Sequence, residues 1–298
     1  MKNTKKTKKL LALLCALCVL SPTAALFACN RQEAGLPTPP TSSDILDTEV
    51  DTESDTPPSA DDIPPANDEP TSSDNTQPEP KPEPVSSAST YIRCTGDNVN
   101  IRAGAGTNYT IIGQAEKGTA YAVLEKTGSW YKTYYRGKIA YIYAQYASVF
   151  SLEKTKDPQV EKVISEGYKL IGVPYVYGAI RLHDGNGNLL AGFTAQKFDC
   201  SSLVQYMFYM GAGKLLQVTT RTQFTQGEYV SRENLQRGDC IYFTNEERQY
   251  KTGIEKIGHV AVYLGNDYIL HTASDSARIE KMSAQRWKFY VEARRFVK

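Results

Sequence analysis

Cysteine and histidine are scarce in this chain, whose 298 residues include six cysteines and three histidines. No Cys-x-x-Cys or His-x-x-x-His pair lies near the histidines. The ligand spacing of a structural zinc site is therefore missing, and no metal or other cofactor is predicted. A strong charge of one sign is missing as well, since the net charge is only +1. No nucleic-acid partner is predicted.

The chain also has no apolar run long enough for a confident membrane span. The run from Leu10 to Leu20 follows five lysines and is followed by small residues, which is typical of a secretory signal over residues 1–28. The next residues, Leu26-Phe27-Ala28-Cys29, resemble a bacterial lipobox. That resemblance implies that Cys29 is lipidated and anchors the chain to a membrane. A chance cysteine beside a cleavage site is the alternative.

Signal cleavage removes two cysteines and lipidation uses a third, so Cys94, Cys200 and Cys240 remain. An odd number cannot all pair within one chain, which excludes a disulfide framework and predicts a free thiol. Cys94 and Cys240 lie in strand-like runs and are expected to be core residues.

Residues 29–89 are rich in Pro, Ser, Thr and acids, and positions 30–89 hold fourteen acids against two basic residues. Such a segment cannot bury enough apolar surface to offset its ordering entropy, so a disordered tether is predicted. The remaining residues, 90–298, carry 27 basic and 19 acidic residues, a net charge of +8. This mild excess suits an anionic bacterial wall and would fit nucleic acid equally well, but no other feature of the sequence supports nucleic acid.

Residues 90–150 contain several short β-rich runs separated by Gly-containing turns, a spacing that predicts a small barrel. The opening Asn100-Ile101-Arg102-Ala103-Gly104 and the later Gly128-Ser129-Trp130-Tyr131 resemble a bacterial SH3-type domain. The resemblance implies either that the domain binds wall peptides or glycans, or that it is a spacer that shapes a neighbouring cleft.

Residues 156–298 begin with two helical patterns. One opens at Asp157-Pro158 and stops at Gly172, and the other starts at Asp199 or Cys200 and ends at Gly211. Strand-like runs follow, which predicts an α+β fold with helices packed on an antiparallel sheet. These runs are Cys240 to Thr244, Val260 to Leu264, Tyr268 to Thr272 and Tyr290 to Val297.

Cysteine catalysis needs a thiolate, a base, and a group that orients the base. Asp199 is a good helix N-cap, so Cys200 is expected at the first helical position, where the helix dipole favours a thiolate. His259 heads an alternating strand, and the turn Gly265-Asn266-Asp267 leads to a second strand that carries His271. Opposite or diagonal neighbours across such a hairpin bring two imidazoles within reach.

These landmarks together resemble the NlpC family of cell-wall cysteine peptidases, papain-like in fold, over about residues 158–297. The motifs on which the resemblance depends are Gly172-Val173-Pro174-Tyr175, Phe198-Asp199-Cys200-Ser201, Arg221-Thr222, Gly258-His259-Val260 and Ile269-Leu270-His271. The resemblance implies Cys200 as nucleophile, His259 as base, His271 as orienting residue and Tyr175 as a helper near the thiol. It also implies that Asp199, Ser201 and Arg221 contact substrate, with Asp199 and Ser201 meeting its acidic residue or free amine.

Three departures from the family pattern lie close to these motifs. The span from Tyr175 to Cys200 is about thirteen residues longer than usual and includes a polar Gly-rich loop, where His183 is expected to be exposed. Gln223 stands where the family has Ser, which removes one expected substrate contact. Tyr177-Gly178-Ala179 replaces Trp-Gly-Gly.

The resemblance implies a monomeric peptidoglycan endopeptidase that cuts the stem peptide at the γ-D-glutamyl–diamino acid bond through a thioester. It would act outside the cytoplasm, anchored to the outer face of the membrane and within the wall. Two alternatives stay open: an amidase or interpeptide peptidase with the same triad, and an inactive wall-binding lipoprotein.

Overall fold

A computed structural model describes residues 88–272 and 275–298. The predicted signal peptide, Cys29 and the tether up to residue 87 lie outside the described residues. The first described strand starts at Ala88, two residues before the predicted start of the SH3-type region at residue 90. In the described part of the chain no helix combines the length and the apolar character that crossing a bilayer requires.

The SH3-type region consists of eight short strands. They are β1 (Ala88–Cys94), β2 (Val99–Arg102), β3 (Ile111–Ala115), β4 (Ala120–Ala122), β5 (Glu125–Thr127), β6 (Trp130–Tyr135), β7 (Lys138–Tyr143) and β8 (Ala147–Glu153). Five of them form a sheet in the order β3-β2-β7-β6-β5. The β6–β7 hairpin turns through Arg136 and Gly137, both at positive φ, as a two-residue turn of this hand requires.

The second region contains four helices and six strands. The helices are α1 (Pro158–Lys169), α2 (Cys200–Ala212), α3 (Thr220–Phe224) and α4 (Ala284–Lys288). The strands are β9 (Glu228–Val230), β10 (Cys240–Phe243), β11 (His259–Gly265), β12 (Tyr268–Thr272), β13 (Ala277–Lys281) and β14 (Tyr290–Arg295). This is the predicted α+β arrangement, and each predicted helix or strand has a counterpart.

Helix α2 runs past the predicted stop at Gly211 and ends before Gly213, which has φ +62°. Gly211 is needed for packing instead, because a Cβ there would lie 2.4 Å from the backbone of Val163 in α1. Helices α1 and α2 are therefore pressed together, and one face of each packs on the sheet. The buried residues of that face of α2 include the predicted Leu203, Val204, Met207 and Phe208.

The second sheet is antiparallel, has nine strands and includes strands from both regions. Its order is β8-β1-β4-β13-β12-β11-β10-β14-β9. The prediction of a separate SH3-type barrel is thus incomplete, because β1, β4 and β8 extend the sheet of the second region. The junction is the pairing of Ala120 with Ile279; all three residues of β4 are buried, and the small Ala120 allows this approach.

A buried arginine also connects the two regions. Arg237 forms a bidentate ion pair with Glu161 of α1, with N–O distances of 2.7 and 3.0 Å. Its Nη2, one of the two nitrogens in that pair, also lies 3.1 and 2.8 Å from the hydroxyls of Tyr91 and Tyr168, and Nη1 donates to the carbonyl of Leu264 at 2.9 Å. One side chain therefore joins β1, α1 and β11.

Replacing Arg237 with Ala should strongly destabilise both regions, because it leaves the carboxylate and the tyrosine hydroxyls without their partner. We expect a loss of about 3 kcal/mol in the free energy of unfolding, measured by urea denaturation of the full chain. Lys132→Ala breaks the exposed pair with Glu125 and should leave the midpoint unchanged. Equal midpoints for both variants would contradict a central role for Arg237.

Candidate active site

Cys200 lies at the first position of α2, as predicted. The carboxylate of Asp199 accepts the backbone N–H of Ser202 at 2.8 Å, and the Ser202 hydroxyl accepts the backbone N–H of Asp199 at 2.9 Å. This reciprocal capping box fixes the first turn of the helix. The half-buried Cys200 thiol is therefore held at a defined position at the N-terminus of the helix.

Three backbone N–H groups lie near enough to the sulfur of Cys200 to lower the pKa of its thiol. They belong to Cys200 itself, to Ser201 and to Val260. Val260 follows His259 directly, so this contact brings the start of α2 against the head of β11. Backbone donors clustered at a nucleophile can also stabilise the oxyanion that forms when it attacks a carbonyl.

The pKa of the Cys200 thiol is raised to about 12, first by burial and then by the Asp199 carboxylate, while the three amides lower it. The prediction of a thiol with a lowered pKa is therefore wrong for the unliganded site. A helix N-terminus stabilises an anion by only about 0.3–1 kcal/mol, which is less than one pKa unit. Desolvation of the thiolate outweighs that contribution.

His259 and His271 meet as the hairpin pattern predicts. The β11–β12 register pairs Val262 with Leu270, so His271 falls opposite residue 261 and His259 is its diagonal neighbour. His259 Nε2 and His271 Nδ1 are 2.9 Å apart, and the rings are nearly perpendicular. The turn passes through Asn266 and Asp267, both at positive φ.

Glu280 continues this line of side chains on the next strand, and the sequence analysis did not identify it. His271 Nε2 lies 3.1 Å from Glu280 Oε1, although the carboxylate is off the axis of a linear N–H hydrogen bond. Arg286 of α4 holds the same carboxylate oxygen at 3.0 Å. Strand β13 reads Ala-Arg-Ile-Glu-Lys, and its residues alternate between buried and less buried positions. This alternation of apolar and polar residues was the sequence signal that could have predicted the strand.

Burial and charge set the ionisation of this line of residues. Burial lowers the pKa of His259 well below its usual value, and the neighbouring His271 and Arg286 lower it further. Burial also lowers the pKa of His271, although Glu280 opposes this effect. Burial alone would raise the pKa of Glu280, but His271, Arg286 and Arg278 outweigh it and bring the pKa to about 2. At neutral pH the imidazoles are neutral and the carboxylate is charged.

Tyr175 lies beside the thiol, as the family resemblance implies. Its strand-like segment pairs with Phe198, just before the start of α2, and its backbone N–H donates to the carbonyl of Asp275 at 2.8 Å. Burial raises the pKa of the Tyr175 hydroxyl, and the nearby Cys200 and Asp199 raise it further. The hydroxyl therefore stays protonated and can act as a hydrogen-bond donor.

Two predicted substrate contacts, Asp199 and Ser201, are buried and already bonded to the protein. The Ser201 hydroxyl lies 2.9 Å from Asp199 Oδ1. Arg181, from the lengthened segment before Cys200, places its Nη2 3.0 Å from Asp199 Oδ2 and 3.3 Å from the Ser201 hydroxyl. Sequence reasoning did not identify Arg181 as part of the site.

The third predicted substrate contact, Arg221, forms an ion pair with Glu255 at 3.5 Å. This pair links α3 to the turn that precedes His259. Gln223, two residues further on, is buried and donates to the carbonyls of Ser201 and Gln217 at 2.9 and 2.8 Å. Gln223 thus braces the first turn of α2.

The lengthened segment is packed against α2, and the expectation of an exposed His183 is wrong. His183 is fully buried, its Nδ1 accepts the backbone N–H of Gly185 at 3.0 Å, and its ring lies 5.0 Å from that of Tyr209. Phe193 packs on Phe198 and stacks on an aromatic ring of α2. The sequence pattern looked polar because its glycines and asparagines form the turn of a small hairpin.

Comparisons with known proteins identify both regions. Residues 172–295 match the NlpC/P60 family, and residues 97–148 match the bacterial SH3 domain. The chain therefore contains an NlpC/P60 family domain preceded by a bacterial SH3 domain. No cluster of three or more His, Cys, Asp or Glu side chains suited to a metal ion occurs among the described residues.

Three curated relatives illustrate the similarity. The gamma-DL-glutamyl hydrolase of Bacillus subtilis (strain 168) is 36% identical over 42% of this chain and 26% of its own length. The peptidoglycan DL-endopeptidase CwlO of Bacillus licheniformis is 35% identical over 43% of this chain and 26% of its own. The murein DD-endopeptidase MepS/murein LD-carboxypeptidase of Escherichia coli (strain K12) is 38% identical over 36% and 53%. The matches thus span a quarter to a half of these relatives.

The raised thiol pKa and the lowered imidazole pKa predict a neutral Cys200–His259 pair before substrate binds. Because only the thiolate is alkylated, the rate of reaction with iodoacetamide should rise steadily from about pH 6 to about pH 10. Mass spectrometry of the peptide that carries Cys200, after digestion of the labelled full chain, would measure this rate, and the buried Cys94 and Cys240 should remain unlabelled. A plateau already reached in acid would instead reveal a preformed thiolate–imidazolium pair.

Proposed function

We propose that this chain is a cysteine endopeptidase that hydrolyses the peptide part of peptidoglycan. One observation carries the proposal: the thiol of Cys200 meets the backbone N–H of Val260, next to His259, and His271 lies hydrogen-bonded behind that histidine. This arrangement supports Cys200 as nucleophile, His259 as base and His271 as orienting group. The relatives' names supply the class of substrate.

The carboxylate of Glu280 sets the proton positions along this line. Because Glu280 can only accept, His271 carries its proton on Nε2 and leaves Nδ1 as an acceptor. His259 then donates from Nε2 to that nitrogen, across 2.9 Å. The unprotonated nitrogen of His259 is therefore Nδ1, which is the atom we assign as the base.

The reaction then proceeds in two stages. His259 Nδ1 takes the proton of the Cys200 thiol as the sulfur bonds to the scissile carbonyl carbon, and the backbone amides stabilise the oxyanion. The C–N bond breaks as the imidazolium protonates the departing amine, which leaves a thioester. Water, deprotonated by His259, attacks the thioester, and the proton returns to the sulfur.

The bond that we propose is the one between γ-D-glutamate and the diamino acid of the stem peptide. The gamma-DL-glutamyl hydrolase and DL-endopeptidase relatives favour it. A cut at an interpeptide or terminal bond is the second candidate, because a murein DD-endopeptidase/LD-carboxypeptidase is also similar to this chain. The same triad would serve either bond, since the cleft and not the triad selects the substrate.

The protein would work outside the cytoplasm, where peptidoglycan lies. We propose that Cys29 carries the lipid that anchors a monomer to the outer face of the membrane, and that residues 30–87 span part of the wall. Lipid labelling of the wild-type chain and of Cys29→Ala in living cells tests the anchor.

Cys200→Ala should reduce cleavage of purified muropeptides by about a thousand-fold or more, because no other group can form the thioester. Mass spectrometry of the products gives both the rate and the bond. Cys94→Ala removes a buried thiol and should remain active. Equal rates for Cys200→Ala and the wild type would contradict the nucleophile, and product masses that place the cut elsewhere would favour the second candidate.

Glu280→Leu should lower kcat by about 100-fold with little change in KM, because His271 and His259 lose their fixed tautomers and orientation. Glu280→Gln should retain more activity, since its amide oxygen can still accept from His271. The pH profile of kcat should shift in both variants, which a purely structural role would not cause. Glu116→Leu breaks an exposed pair with Arg278 and serves as the matched control.

If Glu280→Leu kept both the rate and the pH profile of the wild type, Glu280 would have no part in positioning the histidines. Circular dichroism of each variant distinguishes loss of function from loss of fold.

A further inference from the structure

The acceptor positions of the Asp199 carboxylate are filled by the protein itself. Oδ1 accepts from the Ser202 amide and the Ser201 hydroxyl, at 2.8 and 2.9 Å. Oδ2 accepts from Arg181 Nη2 and the Gly178 amide, at 3.0 and 3.3 Å. Two oxygens offer about four lone-pair sites, so none is left for a donor from substrate.

Arg181 is held rigidly in this position. Its Nε donates to the carbonyl of Val218, its Nη1 donates to that of Ala179 at 3.1 Å, and its Nη2 reaches Asp199 and Ser201. The Arg181 side chain is 20% exposed, whereas that of Asp199 is 6% exposed. The charge that faces solvent beside the thiol is therefore the positive one.

We propose that Arg181 closes this subsite to an ammonium group and makes the enzyme selective for stem peptides whose amino end is acylated. The inference rests on the proposed function. In a substrate of the type L-Ala-γ-D-Glu-diamino acid, the amino end lies one residue before the scissile carbonyl. The proposal places this amino end beside Asp199, which directly precedes Cys200 in the chain.

An ammonium in that position would find no free carboxylate oxygen and would face a guanidinium of like charge. An acylated nitrogen is neutral, so it needs no carboxylate partner and is not repelled by the guanidinium. A stem peptide still attached to its glycan strand has such an acylated amino end, whereas a released stem peptide has a free one. The subsite therefore favours attached stem peptides over released ones.

The test compares two peptides that differ only at the amino end: L-Ala-γ-D-Glu-L-Lys and its N-acetyl form. We expect the full chain to cleave the acetylated peptide with a kcat/KM higher by about tenfold or more. In Arg181→Gln the ratio should fall toward one, because Asp199 Oδ2 loses its bond to the guanidinium and the positive charge is gone. Arg181→Lys keeps the charge and should keep most of the preference.

The ratio is taken within each variant, so partial loss of folded protein does not affect it. Arg248→Ala, which breaks an exposed ion pair with Glu255, is the matched control and should keep the wild-type ratio. Calorimetric titration of Cys200→Ala with both peptides should give the same order of affinities without turnover.

An equal rate for both peptides in the wild type, or an unchanged ratio in Arg181→Gln, would overturn the role of Arg181 while leaving the endopeptidase intact. Cleavage of neither peptide, together with inactivity on muropeptides, would overturn the proposed function and this inference with it.

Discussion

The antiparallel register of β11, β12 and β13 is the constraint on which the site depends. Strand pairing places His271 one diagonal step from His259, and Glu280 one diagonal step from His271, because Ile269 pairs with Glu280. A shift of one residue in either pairing would turn half of these side chains to the opposite face of the sheet. The histidines are therefore positioned by the sheet, and only the nucleophile is positioned by a helix.

Local sequence patterns were enough to predict most of the candidate site. The capped start of α2 and the hairpin that carries both histidines are each encoded within about a dozen residues, so the positions of Cys200, His259 and His271 could be predicted before the fold was known. Glu280 could not, because its role arises from a strand pairing and from Arg286 in a later helix. The raised thiol pKa also depends on burial, which a linear pattern does not give.

The joining of the two regions is the other non-local feature. Nothing in the sequence marks Ala120 as the partner of Ile279, since a three-residue strand carries too little pattern to specify its neighbour. Once that pairing forms, the SH3 domain becomes part of the scaffold of the active-site sheet, and Arg237 stabilises the junction from below. This favours the interpretation in which the SH3 domain shapes the cleft. The aromatic cluster of Trp130, Tyr143 and Tyr146 lies on another part of that domain, outside the three strands that join the second sheet.

Asp199 shows how one residue can serve structure and oppose chemistry at the same time. As the N-cap it fixes the helix start that presents Cys200, yet its negative charge raises the pKa of the thiol. An opposing cation next to the carboxylate reduces that electrostatic cost without removing the cap. Arg181 provides this cation from a segment that the buried His183 and Phe193 hold in place against α2. The lengthened segment thus changes the electrostatics of the nucleophile's own helix cap, and any change in specificity that it causes follows from that charge.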